Sequence, residues 1–170
     1  MRSQLIPHCD ILSYCLMPNH FHWLLYVRKV GKSKNVRETR QTALSGPAGE
    51  EQHPLIRKIA VLLSSYTQAI NKQEQRSGSL FRQKTKSIKI DSREYGRICL
   101  YYIHHNPLKA NLVDSLLKWE YSSFPDYAGI RSGSLINKKK TMELLSVGKK
   151  DILKKSCKKV SQNKIKNILE

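Results

Sequence analysis

Acidic residues are scarce in this chain relative to basic ones. Its 170 residues hold 13 Asp+Glu against 31 Lys+Arg, a formal charge of +18. So large an excess disfavours basic partners and favours a polyanion, of which nucleic acid is the usual one. Long apolar runs are also missing. None approaches the roughly 20 residues of a membrane span, and the largely apolar stretch 11–26 is broken by Pro18, Asn19 and two histidines, which excludes a secretory signal. Cysteine is sparse: Cys9, Cys15, Cys99 and Cys157 have no C-x-x-C spacing, so neither a zinc ribbon nor a disulfide framework fits. Reduced thiols of a cytoplasmic protein are expected instead. Internal repeats are absent.

What is present is organised around a hairpin pattern. Residues 10–17 are mostly apolar and suit a strand, Pro18 and Asn19 suit a tight turn, and 20–28 return as a second strand. His20 and His22 alternate with Phe21 and Trp23. Side chains on a strand alternate faces, so the histidines share one face and the two aromatics are expected on the opposite, buried one. Two imidazoles on one face can grip one metal ion but need a third ligand from elsewhere. The spacing alone leaves open that both are structural.

Residues 31–54 are polar and contain Gly46-Pro47, so a loop or insertion is expected there. Leu55, Ile59, Leu62, Leu63, Tyr66 and Ile70 recur at spacings of three and four, which predicts an amphipathic helix. A strand is expected within 80–90, ending at Ile88-Lys89-Ile90. Asp91 and Glu94 have the spacing of an N-cap and its reciprocal partner. The helix they open should stop before Pro107, since the residue preceding proline disfavours helical geometry.

On that helix Tyr102 shares a face with His105 and Asn106, whereas His104 points elsewhere. A tyrosine hydroxyl, with a pKa of about 10, is a poor nucleophile unless it or its target is activated. A divalent metal can activate a phosphodiester for such an attack. The same tyrosines also fit the packing face of an amphipathic helix. Arg82, Lys84, Lys86 and Lys89 would meet phosphates with little sequence preference, and Phe81, Tyr121 and Phe124 would stack on unpaired bases or fill the core. From Lys138 onward lysine dominates. We expect one domain over residues 1–130 and a weakly packed basic tail over 131–170.

Four segments in order carry a resemblance. Leu16-Met17-Pro18-Asn19-His20-Phe21-His22-Trp23-Leu24-Leu25 resembles the histidine–hydrophobic–histidine (HUH) signature of the REP-associated tyrosine transposases, relatives of single-strand insertion-sequence transposases. Gly78-Ser79-Leu80-Phe81-Arg82-Gln83 with Lys86-Ser87 resembles the family's next block. Tyr102 to Ala110 with Leu112-Val113 resembles its tyrosine block, and Tyr121-Ser122-Ser123-Phe124 with Tyr127 and Gly129 its closing aromatic motif. The resemblance implies an α+β fold, a ferredoxin-like antiparallel sheet with helices on one face.

It also implies a metal-dependent endonuclease and strand transferase, acting through a covalent phosphotyrosine on single-stranded DNA that carries hairpins. By position it makes Tyr102 the nucleophile and His20, His22 and Asn106 ligands of Mg²⁺ or Mn²⁺, with His105 an alternative ligand or support. A monomer or homodimer associated with the bacterial nucleoid is implied. Only residues 1–9 precede the first expected strand, so the family's first strand and most of its first helix are expected to be missing. For that reason a non-catalytic DNA- or RNA-binding remnant stands as the alternative, and a remnant with no partner as a third.

Overall fold

A computed structural model describes residues 2–28, 53–81 and 85–158. Two compact units are present, Met1–Cys9 with Val27–Thr85, and Asp10–Tyr26 with Lys86–Glu170. The fold is α+β. Two hydrogen-bonded antiparallel strands, β1 (Cys9–Leu16) and β2 (Phe21–Val27), form the sheet. The intervening turn is closed by the Met17 amide donating to the His20 carbonyl at 2.8 Å. This is the expected hairpin, with Pro18 and Asn19 at its tip.

In the first unit, α1 (Arg2–Leu5) packs on α2 (Pro54–Gln73). Proline suits the first turn of α2 because no helical partner is lost there. The His53 Nδ1 caps it by accepting from the Leu55 amide at 3.2 Å. The expected apolar stripe forms, but only Leu55 along it is fully buried.

The second unit holds α3 (Arg93–Lys109), a 3-10 turn (Leu116–Lys118), α4 (Phe124–Ala128), α5 (Lys138–Leu145) and α6 (Lys149–Ser156). Its core joins Ile11, Leu12, Cys15 and Leu24 of the hairpin to Cys99, Leu100, Phe124, Tyr127, Leu145 and Ile152 of the helices. At Gly96 a Cβ would stand 2.6 Å from the Leu145 side chain. The absence of a side chain therefore lets α5 press against α3.

The edge of β1 facing away from β2 is not bare. Its Leu16 amide donates to the Tyr121 carbonyl at 2.8 Å, and the Ser123 amide donates to the Tyr14 carbonyl at 3.0 Å. Further along, the Asn137 amide donates to Ile11 and the Tyr127 hydroxyl to Leu12. Irregular segments thus satisfy backbone groups that a neighbouring strand would otherwise take.

Four expectations are corrected. Residues 85–90 form no strand, because no strand edge meets them and their side chains are mostly exposed. The cap of α3 is Ser92, whose hydroxyl accepts from the Tyr95 amide at 3.1 Å, one residue after the expected Asp91. Helix α3 does not stop before Pro107 but runs through it to Lys109. The restriction before proline is a preference, and here burial of Tyr101 to His104, Asn106 and Pro107 outweighs it. Finally, the lysine-rich segment is not weakly packed up to Ser156. Thr141, Leu145, Val147, Ile152 and Ser156 are all buried. The expected loop at 31–54, except for its last two residues, and the tail beyond residue 158 lie outside the described residues.

Candidate active site

The register of β2 decides which way the histidines face. Leu24, two residues after His22, is buried, so the histidine face turns toward the helices. Phe21 and Trp23 are half-buried on the other face and lie against each other, ring centroids 4.5 Å apart. The expectation that these two occupy the buried face is therefore only partly met: the histidine face is covered too at His22 and Leu24, although His20 is exposed.

His20 and His22 lie edge to face with centroids 4.9 Å apart. The His20 Nδ1 is 2.6 Å from the Asn19 Oδ1. Since an amide oxygen only accepts, that ring nitrogen carries the proton and Nε2 keeps its lone pair. Burial lowers the His20 pKa. At His22 burial, with help from the charges of His20 and Lys109, pushes the pKa down to about 4. Both rings are neutral near pH 7, the form that ligates metals. The His22 Nε2 is also buried with no hydrogen-bond partner among the described residues.

Helix α3 brings Tyr102 to this pair. Its ring is 5.5 Å from that of His22, edge to face, and both belong to one chain. Burial raises the Tyr102 pKa, while the Asn106 side chain acts in the opposite direction. Asn106 is itself buried, and its Nδ2 donates to the Tyr102 carbonyl at 2.9 Å. With the nitrogen committed to the helix, the Oδ1 is the end left to accept or ligate.

Lys109, two turns along α3 from Tyr102, places its Nζ 5.6 Å from the centre of the tyrosine ring. Sequence reasoning missed this residue, because a helix stopped at Pro107 leaves it in a loop. The signal was the spacing 102, 106, 109, which marks one helix face once the helix is allowed to continue.

His105 turns toward α6, where its Nδ1 donates to the Ser156 carbonyl at 3.1 Å. Among the described residues no third His, Cys, Asp or Glu joins His20 and His22. His105 thus stands as a support of α6, and Asn106 is the ligand candidate on the Tyr102 side. His104 is fully buried, its Nε2 2.8 Å from the Ser123 Oγ and its Nδ1 3.2 Å from the Ser156 Oγ. Burial pushes its pKa down to about 3. Ser123 in turn accepts from the Tyr14 amide, so the closing aromatic motif ties α3 and α6 to β1.

Lys86 and Lys89 are exposed, while Arg82 and Lys84 lie outside the described residues. Among the aromatics considered for stacking, Phe124 is in the core, Phe81 meets Tyr66 in the first unit, and Tyr121 is 60% exposed. Trp119 stands beside Tyr121, ring centroids 5.6 Å apart, and donates its indole N–H to the Leu16 carbonyl.

No protein-family model, curated protein or solved structure matches the chain.

Proposed function

We propose that this protein is a metal-assisted, single-tyrosine endonuclease and strand transferase of single-stranded DNA, as the resemblance to the REP-associated tyrosine transposases implies. One observation carries the reading: a half-buried histidine, its Nε2 buried without a hydrogen-bond partner among the described residues, lies 5.5 Å from a tyrosine ring that is eighty residues away in sequence. A purely structural histidine would be expected to satisfy that nitrogen, as His104 does both of its own.

The residues fit a divalent ion. Neutral His20 and His22 offer imidazole nitrogens, which favour transition metals, and Asn106 offers an amide oxygen, which suits Mn²⁺ or Mg²⁺, so of these two ions the transition metal Mn²⁺ is the better match to the set. When bound, such an ion would polarise the oxygens of a phosphodiester. The chain's own part follows from its geometry. Asn19 orients His20, the helix bond from Asn106 fixes its amide, and α3 holds Tyr102 beside the pair.

The Tyr102 Oη bonds to phosphorus while the bond from phosphorus to the leaving oxygen breaks. The phenol proton passes to solvent, and the leaving oxygen is protonated to a hydroxyl. Because the phosphotyrosine keeps the ester energy, a strand hydroxyl can reverse the step and join ends without ATP. The site lies within one chain, so attack in cis needs no partner.

On this reading β1 and β2 are two strands of a ferredoxin-like sheet. The substrate is a hairpin-bearing single strand, Lys86 and Lys89 with Arg82 and Lys84 meet its backbone, and the protein works as a monomer or homodimer on DNA in the bacterial cytoplasm. Among the described residues no helix is long and apolar enough to cross a membrane.

The test is a labelled hairpin oligonucleotide with a single-stranded flank, incubated with protein and Mn²⁺ and resolved under denaturing conditions. A covalent adduct that disappears in Tyr102→Phe, with His20→Ala and His22→Ala also inactive, is the expected result. Salt-sensitive binding without an adduct in any divalent metal would sink the enzymatic reading. It would favour a nucleic-acid-binding remnant, which the charge of +18 also supports.

A further inference from the structure

Lys109 is an exposed residue in the last turn of α3, yet its ammonium lies over the Tyr102 ring rather than extending into solvent. Among the described residues the ion pairs are Lys118–Asp114, Arg131–Asp126 and Lys155–Asp151, and Lys109 takes part in none. A cation held over the ring of the candidate nucleophile, with no carboxylate paired to it among the described residues, is matched to an anionic ligand.

We infer that Lys109 grips the phosphate that Tyr102 attacks. This rests on the function proposed above and adds a residue to it. The ammonium donates a hydrogen bond to a non-bridging oxygen of the scissile phosphodiester. Negative charge grows on those oxygens as Oη approaches phosphorus, so the contact strengthens toward the transition state and speeds the step rather than merely tightening binding. Geometry explains why the residue is reachable. Positions 102, 106 and 109 form one stripe only because α3 continues through Pro107, so the proline-containing turn carries the lysine to the site.

The experiment follows single-turnover adduct formation on the hairpin oligonucleotide at saturating strand and Mn²⁺. The parent protein is compared with Lys109→Met, Lys109→Arg and, as a surface control, Lys154→Met, with oligonucleotide affinity measured separately in EDTA. Lys109→Met is expected to slow the reaction by about a hundred- to a thousandfold, with affinity within about threefold, the size of one backbone contact among many. Arginine should restore most of the rate, and the control should match the parent.

A Lys109→Met rate equal to that of the parent overturns the inference and leaves the function standing. So does a change confined to affinity, which makes Lys109 an ordinary backbone contact. A parent that forms no adduct at all removes the function and this inference with it.

Discussion

His104 offers the sharpest test of the packing that supports the site, because both of its properties point the same way. It is fully buried, both ring nitrogens are taken by serine hydroxyls, and its ring lies 5.5 Å from Phe124 and 5.4 Å from Tyr127. Burial lowers its pKa from 6.5 to about 3, against a weaker opposing effect of Asp126. The unfolded chain therefore takes up a proton near pH 6.5 that the folded chain refuses until about pH 3. Between those values the unfolded state binds more protons, so stability falls as pH falls.

From pH 7 to pH 5 the loss due to this one residue is about 2 kcal/mol, taking 1.36 kcal/mol per pKa unit. The assay is urea unfolding followed by tryptophan fluorescence, in EDTA, at both pH values. Trp23 and Trp119 both lie in the unit that holds His104, so the signal reports the right unit. His104→Gln keeps a side chain able to bond a hydroxyl but cannot titrate.

His22 has a lowered pKa too, and comparing the pH dependence of parent and variant cancels its contribution. The parent should lose about 2 kcal/mol more than His104→Gln, a midpoint difference of roughly 1 M for a slope near 2 kcal/mol per M. Equal losses in the two proteins would refute the buried, neutral assignment.

Two further outcomes follow from side chains near the hairpin. Asp126, almost wholly buried, accepts from the Arg131 Nε at 3.1 Å and from the Gly133 amide at 2.9 Å, and a Cβ at Gly133 would collide with its carboxylate. Gly133→Ala should therefore destabilise the protein by about 1–3 kcal/mol, the cost of disturbing a buried hydrogen-bonded group, read as a lower urea midpoint at pH 7; an unchanged midpoint would show that the clasp gives way at no cost. Tyr121 is exposed beside Trp119 at the end of β1. If it stacks on an unpaired base, Tyr121→Ala should weaken single-strand binding by about 1–3 kcal/mol and leave the urea midpoint in place, whereas unchanged affinity in fluorescence anisotropy removes it from the interface.

The hairpin was legible because its signals are local: an apolar run, a Pro-Asn turn and strict alternation around two histidines. Helix α2 was legible for the same reason, through a stripe that repeats over four turns. The direction of the histidine face was not, since alternation separates two faces without saying which is covered. That depended on Leu24 and Tyr102, the latter eighty residues beyond His22.

The rule against helix before proline misplaced the end of α3. It describes one dipeptide, whereas the helix is held by burial of Tyr101 to His104, Asn106 and Pro107 and by contacts to α5 and α6. The lysines of 138–156 concealed packed helices, because only a few of these residues, such as Thr141, Leu145 and Ile152, need to be inside. The tyrosine, the histidines and Asn106 could all be named from spacing and resemblance. Lys109 could not, since its place depends on a helix that continues past the proline.

The charge of the candidate site has a consequence for how it would be filled. Two neutral imidazoles and one amide oxygen carry no negative charge, and among the described residues no carboxylate stands with them. Lys109 adds a positive charge nearby. A divalent cation entering this site alone would give up water for neutral ligands beside an ammonium, an exchange that Coulomb's law disfavours. A phosphodiester changes the balance, because its oxygens offer hard, anionic ligands to the ion and an acceptor to Lys109. On the proposed function, ion and strand therefore bind as mutual partners, and by linkage each must tighten the other by the same factor. On that function the scarcity of acid in the sequence serves the chemistry: a site without carboxylates would hold a metal well only when the substrate brings the missing charge.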